Sequence, residues 1–266
     1  MTANVSQPTG SVVEVSPADR YDYLIRLGDD SLILSHRVAE WCSWAPQLEE
    51  DMALVNISLD LLGQTRLLYT YAGTLTDEPK TEDDLAYLRE EPDFRCIDLV
   101  EHPTVHHYGR LTAQLFLYCA YAVPLWRRLT ASTDAALAEI AAKSLKEARY
   151  HLEHSAGWVI RLGDGTEESH AKLVEAFDLL WPLAEDLFQT DALTDKIVAA
   201  GIGPDPKELA VEWRATVEEV FAEATLAIPT VKFRAGKGRS GVHSEYLGYA
   251  LAEMQYIHRL HPGAQW

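Results

Sequence analysis

Residues 54–68 read LVNISLDLLGQTRLL. Leu54, Ile57, Leu61, Gln64 and Leu68 recur at steps of three and four, the period of one helical face, whereas a strand would alternate. Three more stretches carry the same rhythm. A first helix shows Leu24, Leu27, Ser31, Leu34, Val38 and Trp41; a third shows Leu115, Cys119, Ala122 and Trp126; a fourth shows Ala141, Leu145, Ala148, His151, Leu152 and Ser155. No strand-like alternation or internal repeat stands out, so the chain reads as all-α.

Punctuation places the helix ends. Ser16-Pro17-Ala18-Asp19 is a capped start with proline at the first helical position, and the first helix is expected over 17–44. The second runs from Pro46 to Ala72 and stops at Gly73. Residues 74–102, broken by Pro79 and Pro92, read as a long crossover with a short helix near 81–90. Further helices are expected over 103–129, 134–162, 167–188 with a break at Pro182, 206–227 and 243–260. Residues 1–15 read as a loose tail and 16–266 as one domain: four long helices with C-terminal additions.

Each seam has a small or polar residue near its middle: Ser31, Gln64, Cys119, Ala148 and His151. One reading is small packing residues plus a satisfied histidine and glutamine, because an unpaired buried polar group costs about 1–3 kcal/mol. The other is a buried metal site. A di-iron bundle takes a carboxylate from each of two helices and Glu-x-x-His from each of two more. These seams hold no Asp or Glu, so that donor set is missing. A rearranged site from Asp60, Glu147 and His151 competes with a plain ion pair of Glu147 with Arg149 or Lys146.

Two other clusters stand out. His102, His106 and His107 gather at a helix start, read as a solvated end in preference to a metal site. Lys232, Arg234, Lys237 and Arg239 form a basic, glycine-rich run in a chain of formal charge −18; it reads as a solvated loop or a docking loop for an acidic partner or phosphates. The acidic balance argues against nucleic-acid and anionic-membrane binding. Cys42, Cys96 and Cys119 form no CxxC pair; Cys42 and Cys119 read as small core residues. The first fifteen residues lack a signal-peptide pattern and no apolar run approaches 18 residues, so a cytoplasmic location is expected.

Several runs are familiar together: Arg26-Leu27-Gly28-Asp29, Ala45-Pro46-Gln47-Leu48-Glu49, Leu59-Asp60-Leu61-Leu62-Gly63-Gln64, Lys146-Glu147-Ala148-Arg149-Tyr150-His151, and Val242-His243-Ser244-Glu245-Tyr246-Leu247-Gly248 with a Pro-Gly-x-Gln-Trp terminus. From about residue 20 to 266 the chain resembles the PaaC family, structural subunits of the bacterial phenylacetyl-CoA ring-epoxidase. The resemblance implies a ferritin-like bundle without catalysis of its own, paired with a homologous catalytic subunit that holds di-iron and the CoA ester. A small bridging subunit would link the pair to a reductase carrying flavin and an iron–sulfur cluster and fed by NADPH. It implies no cofactor or metal in this chain. Ser31 stands where the catalytic paralogue has a helix 1 Glu, Leu61-x-x-Gln64 and Ala148-x-x-His151 where it has Glu-x-x-His, and Cys119 near its remaining carboxylate. Lys232, Arg234, Lys237 and Arg239 would meet a partner or the CoA phosphates. Trp44, Met52, Leu59 and Tyr69, off the seams of helices 1 and 2, would face the catalytic subunit, or a second copy when the chain is alone. The alternatives are an active di-iron oxygenase or iron-binding protein with rearranged ligands, and a free-standing helical binding protein.

Overall fold

The computed structural model describes residues 14–104 and 107–264. Ten α-helices are present among them: α1 (Pro17–Ala39), α2 (Leu48–Gly73), α3 (Glu82–Tyr87), α4 (Asp98–Glu101), α5 (Tyr108–Leu129), α6 (Ala135–Gly163), α7 (Glu167–Leu180), α8 (Ala192–Ala199), α9 (Pro206–Glu223) and α10 (Glu245–Leu260). No strand occurs among the described residues, only an isolated bridge between Lys237 and Val242.

The first helix begins as its residues dictate. The Ser16 hydroxyl accepts from Asp19 N–H, the Asp19 carboxylate accepts from Ser16 N–H, and Pro17 occupies the first turn. The helix ends at Ala39, earlier than its periodicity suggested, and the chain turns through Ser43, whose φ is +74°. α5 starts at Tyr108 and not at 103, because the chain is still extended at His107, its N-cap. Pro182 ends α7, and a 3-10 turn continues over Trp181–Phe188. α8 was not expected from periodicity; Asp191 caps it.

α1 packs most extensively on α2 and α5 on α6, and α2 meets α6 across the seam. The four helices are not equivalent. α6 buries one stripe: Leu137, Ala141, Ser144, Ala148, His151, Ser155, Val159 and Gly163. α2 likewise buries Leu54, Ile57, Leu61, Gln64, Leu68 and Ala72 along one side, with Thr65 and Tyr69 beside it. α1 and α5 are buried nearly all round, as expected of helices with neighbours on every side. α7 and α9 cover α5, α4 and α8 lie on α1, and α10 packs on the crossover helix α3. Gly28 permits a close α1–α2 approach, since a Cβ there would lie 2.5 Å from Tyr69 Cε1.

Candidate functional site

The six positions singled out from the seams converge in the bundle centre. Ser31, Leu61, Gln64, Cys119, Ala148 and His151 are each no more than 2% exposed. α1, α2, α5 and α6 supply them, because each lies on the stripe its helix turns inward. Leu61 and Ala148 fill space. The Ser31 hydroxyl donates back to Leu27 O at 3.1 Å. Burial pushes the Cys119 thiol up, against a hydrogen bond from Ser155, so its sulfur stays protonated.

The polar atoms at the centre pair across the α2–α6 seam. His151 Nε2 lies 3.1 Å from Asp60 Oδ2, and Gln64 Nε2 donates to Glu147 Oε2 at 3.0 Å. Asp60, Gln64, Glu147 and His151 therefore do meet, as a rearranged site would require. They meet as two hydrogen-bonded pairs, with Asp60 37% exposed at the rim. Glu147 takes Gln64 and, at 3.9 Å, Lys143, which corrects the expectation of Arg149 or Lys146.

This donor set does not fit a carboxylate-bridged di-iron pair. None of the six central residues is a carboxylate, and the acids nearby belong to the rim and are engaged by His151 and Gln64. Two iron cations in this core would lack the negative charge that offsets them. The centre therefore supports no step through such a metal pair.

A second polar layer lies on the far side of α1, where the seam periodicity gave no hint of it. Asp29 and Asp30 are buried beside Ser31. Arg89 binds Asp29, with its NH2 nitrogen 2.6 Å from Oδ1, and Tyr69 donates to the same oxygen. Arg239 binds Asp30 at 2.7 Å and also donates to the carbonyls of Arg26 and Arg95. Glu101 pairs with His243 at 2.7 Å and accepts from Ser244 N–H and Oγ–H. This layer fastens the crossover and the C-terminal arm to α1. The available signal was the run Gly28-Asp29-Asp30-Ser31 set between Leu27 and Leu32-Ile33-Leu34.

The basic run divides. Arg239 is committed to Asp30 and to backbone carbonyls, so its assignment as a docking residue is corrected: it neutralises a buried acid. Arg234 reaches Asp98 at 3.2 Å while staying largely exposed, and Lys232 and Lys237 are exposed. Gly236 is held through its N–H by Asp186 Oδ1 at 2.6 Å. Tyr69, expected on the surface, is core; Trp44, Met52 and Leu59 are exposed as expected. Of the histidine cluster, His102 packs at a tilt against Tyr246 and His107 faces Glu175; His106 lies outside the described residues. Cys42 is half-buried, whereas Cys96 and Cys119 are buried.

Residues 3–266 match the family described as phenylacetic acid catabolic protein. The chain belongs to this family. Its architecture is accordingly the ferritin-like all-α bundle. It is 45% identical over 244 residues to the C component of the 1,2-phenylacetyl-CoA epoxidase of Escherichia coli (strain K12), covering 92% of this chain and 98% of the relative. Among the described residues, no helix is long and apolar enough to cross a membrane.

Proposed function

We propose that this chain is the non-catalytic structural subunit of a multicomponent monooxygenase that epoxidises the ring of phenylacetyl-CoA, and that it acts by pairing with a homologous catalytic subunit. The bundle centre carries the reading: Ser31, Leu61, Cys119 and Ala148 are buried there with no carboxylate among them. The similarity to a component of an epoxidase supplies the reaction.

The exposed faces support the pairing. α1 and α5 are covered by the chain's own additions, whereas α2 and α6 leave their outer sides open. α2 presents Leu48, Met52, Leu59 and Leu62, and α6 presents Tyr150. A permanent pairing of ferritin-like bundles buries roughly 2,000 Å² or more, and this face suits one. The partner would thus meet α2 and α6, in place of the helix 1 and 2 surface expected at first. Lys232, Lys237 and Arg234 form a separate cationic edge for an acidic partner or CoA phosphates. The di-iron centre, flavin, iron–sulfur cluster and NADPH of the reaction belong in this reading to other subunits, with a small bridging subunit and a reductase completing the assembly.

The test is co-expression with the catalytic subunit, followed by mass measurement, elemental analysis and epoxidase assay. The expected result is a mixed assembly whose iron and activity follow the catalytic chain. About two irons per isolated chain, the load of a complete di-iron bundle, would overturn the proposal, as would a chain that ignores its partner.

A further inference from the structure

Cys96, Glu101 and His243 converge from the crossover and from the residue just before the Ser244 cap of α10. All three side chains are buried: Cys96 and Glu101 are 0% exposed, as is the His243 ring. Cys96 Sγ lies 3.6 Å from Glu101 Oε1 and 3.9 Å from His243 Nδ1, and Nδ1 lies 2.7 Å from Oε1.

The surroundings orient each atom toward the others. His243 Nε2 sits 3.0 Å from Phe94 O, a carbonyl that only accepts, so Nε2 carries hydrogen and Nδ1 turns to the cluster. Glu101 Oε2 is taken by Ser244 N–H at 2.8 Å and Ser244 Oγ–H at 2.6 Å, which leaves Oε1 facing Nδ1. Outer hydrogen bonds of this kind hold metal ligands in register. Two lone-pair atoms this close need a cation between them, either a proton or a metal ion. Without a metal, that proton and the Cys96 S–H donated to the same Glu101 oxygen hold the three atoms together; a metal ion would take all three in their place.

The dimensions suit a metal. A point equidistant from the corners of a triangle with these edges lies about 2.0 Å from each atom, the length of a zinc bond to imidazole or carboxylate, and Cys96 Sγ would withdraw by about 0.3 Å to reach the thiolate distance of about 2.3 Å. Thiolate plus carboxylate also balances a divalent cation, so the buried cluster becomes neutral. Burial raises the Cys96 thiol, Glu101, Asp29 and Asp30 add to the rise, and Arg239 opposes them.

We infer that Cys96, Glu101 and His243 form a binding site for one zinc-like divalent cation that clamps the C-terminal arm to the crossover. On binding, the Cys96 S–H bond gives way to a sulfur–metal bond, and both the thiol proton and the proton shared by His243 Nδ1 and Glu101 Oε1 leave to solvent; no electron is transferred. The site is separate from the bundle centre and requires no assumption about the epoxidase.

The test uses the full chain, stripped with chelator and titrated with cobalt(II), then with zinc. The expected outcome is a thiolate-to-cobalt charge-transfer band saturating at about one metal per chain, displaced by zinc, with a raised Tm. Cys96→Ser should abolish the band, and His151→Ala in the bundle centre should leave it. Should Cys96→Ser fail to fold, nitrogen-15 histidine NMR of the wild-type chain with zinc decides: Nδ1 of His243 should lose its proton. No band in the wild type, a band that survives Cys96→Ser, or a His243 ring that keeps both protons in zinc would each overturn the site.

Discussion

His151 Nε2 and Asp60 Oδ2 face each other at 3.1 Å, joining the core of α6 to the rim of α2. His151 is buried and Asp60 is part-exposed, so the contact satisfies an inward nitrogen with an acid that keeps its hydration. A double-mutant cycle between His151→Ala and Asp60→Ala should give a coupling of about 0.5–1.5 kcal/mol in urea unfolding. Strict additivity would mean that the histidine finds another partner.

Leu61 lies on the buried stripe of α2 at 1% exposure. Leu61→Ala should cost about 2–5 kcal/mol. Leu61→Glu should be worse, since it buries a carboxylate with no cation opposite. Urea midpoints compare the two; a Leu61→Glu chain as stable as wild type would show that water reaches the centre.

The basic run should split by function as it splits by burial. Arg239→Ala strands the buried Asp30 and should cost about 3–5 kcal/mol. Lys232→Ala and Lys237→Ala should stay within about 0.5 kcal/mol of wild type. Reversing both lysines to glutamate should leave the fold intact yet weaken assembly or raise the KM for the CoA ester, with the difference shrinking as salt is added. Unchanged assembly and kinetics at low salt would return the lysines to plain solvation.

Burial holds the Asp186 carboxyl up at about 6, with Asp98 adding to the rise and the Gly236 N–H opposing it. Its unfolded value is the ordinary 3.8. As pH rises from about 4 to about 6, the unfolded chain ionises at this residue before the folded one, so this group lowers stability across that window. Above the window both states are ionised and the penalty is constant. The stability of Asp186→Asn relative to wild type should therefore increase between pH 4 and 6 and then level off. A relative stability that is flat in pH, measured by thermal unfolding, would show an ordinary carboxylate.

The helices and their inward faces were legible in the residues alone, because a 3.6-residue period needs no partner to be seen. Leu54 to Leu68 announces α2, and Ser16 with Asp19 announces the start of α1, since capping and periodicity are local. The same locality made the centre readable: Ser31, Leu61, Gln64, Cys119, Ala148 and His151 lie on stripes that must turn inward wherever the bundle closes. What each polar atom then bonds was not local. Glu147 chose Gln64 across the seam over its own helical neighbour Arg149, and Arg239 crossed from the C-terminal arm to Asp30. The burial of Asp29 and Asp30 is not local either, since it follows from the covering of α1 by the crossover and the arm. Side-chain period is a property of one helix, whereas charge pairing depends on which distant segment arrives opposite; the sequence alone therefore determined the bundle and its carboxylate-free centre, and the tertiary structure decided the ion pairs and brought Cys96, Glu101 and His243 together.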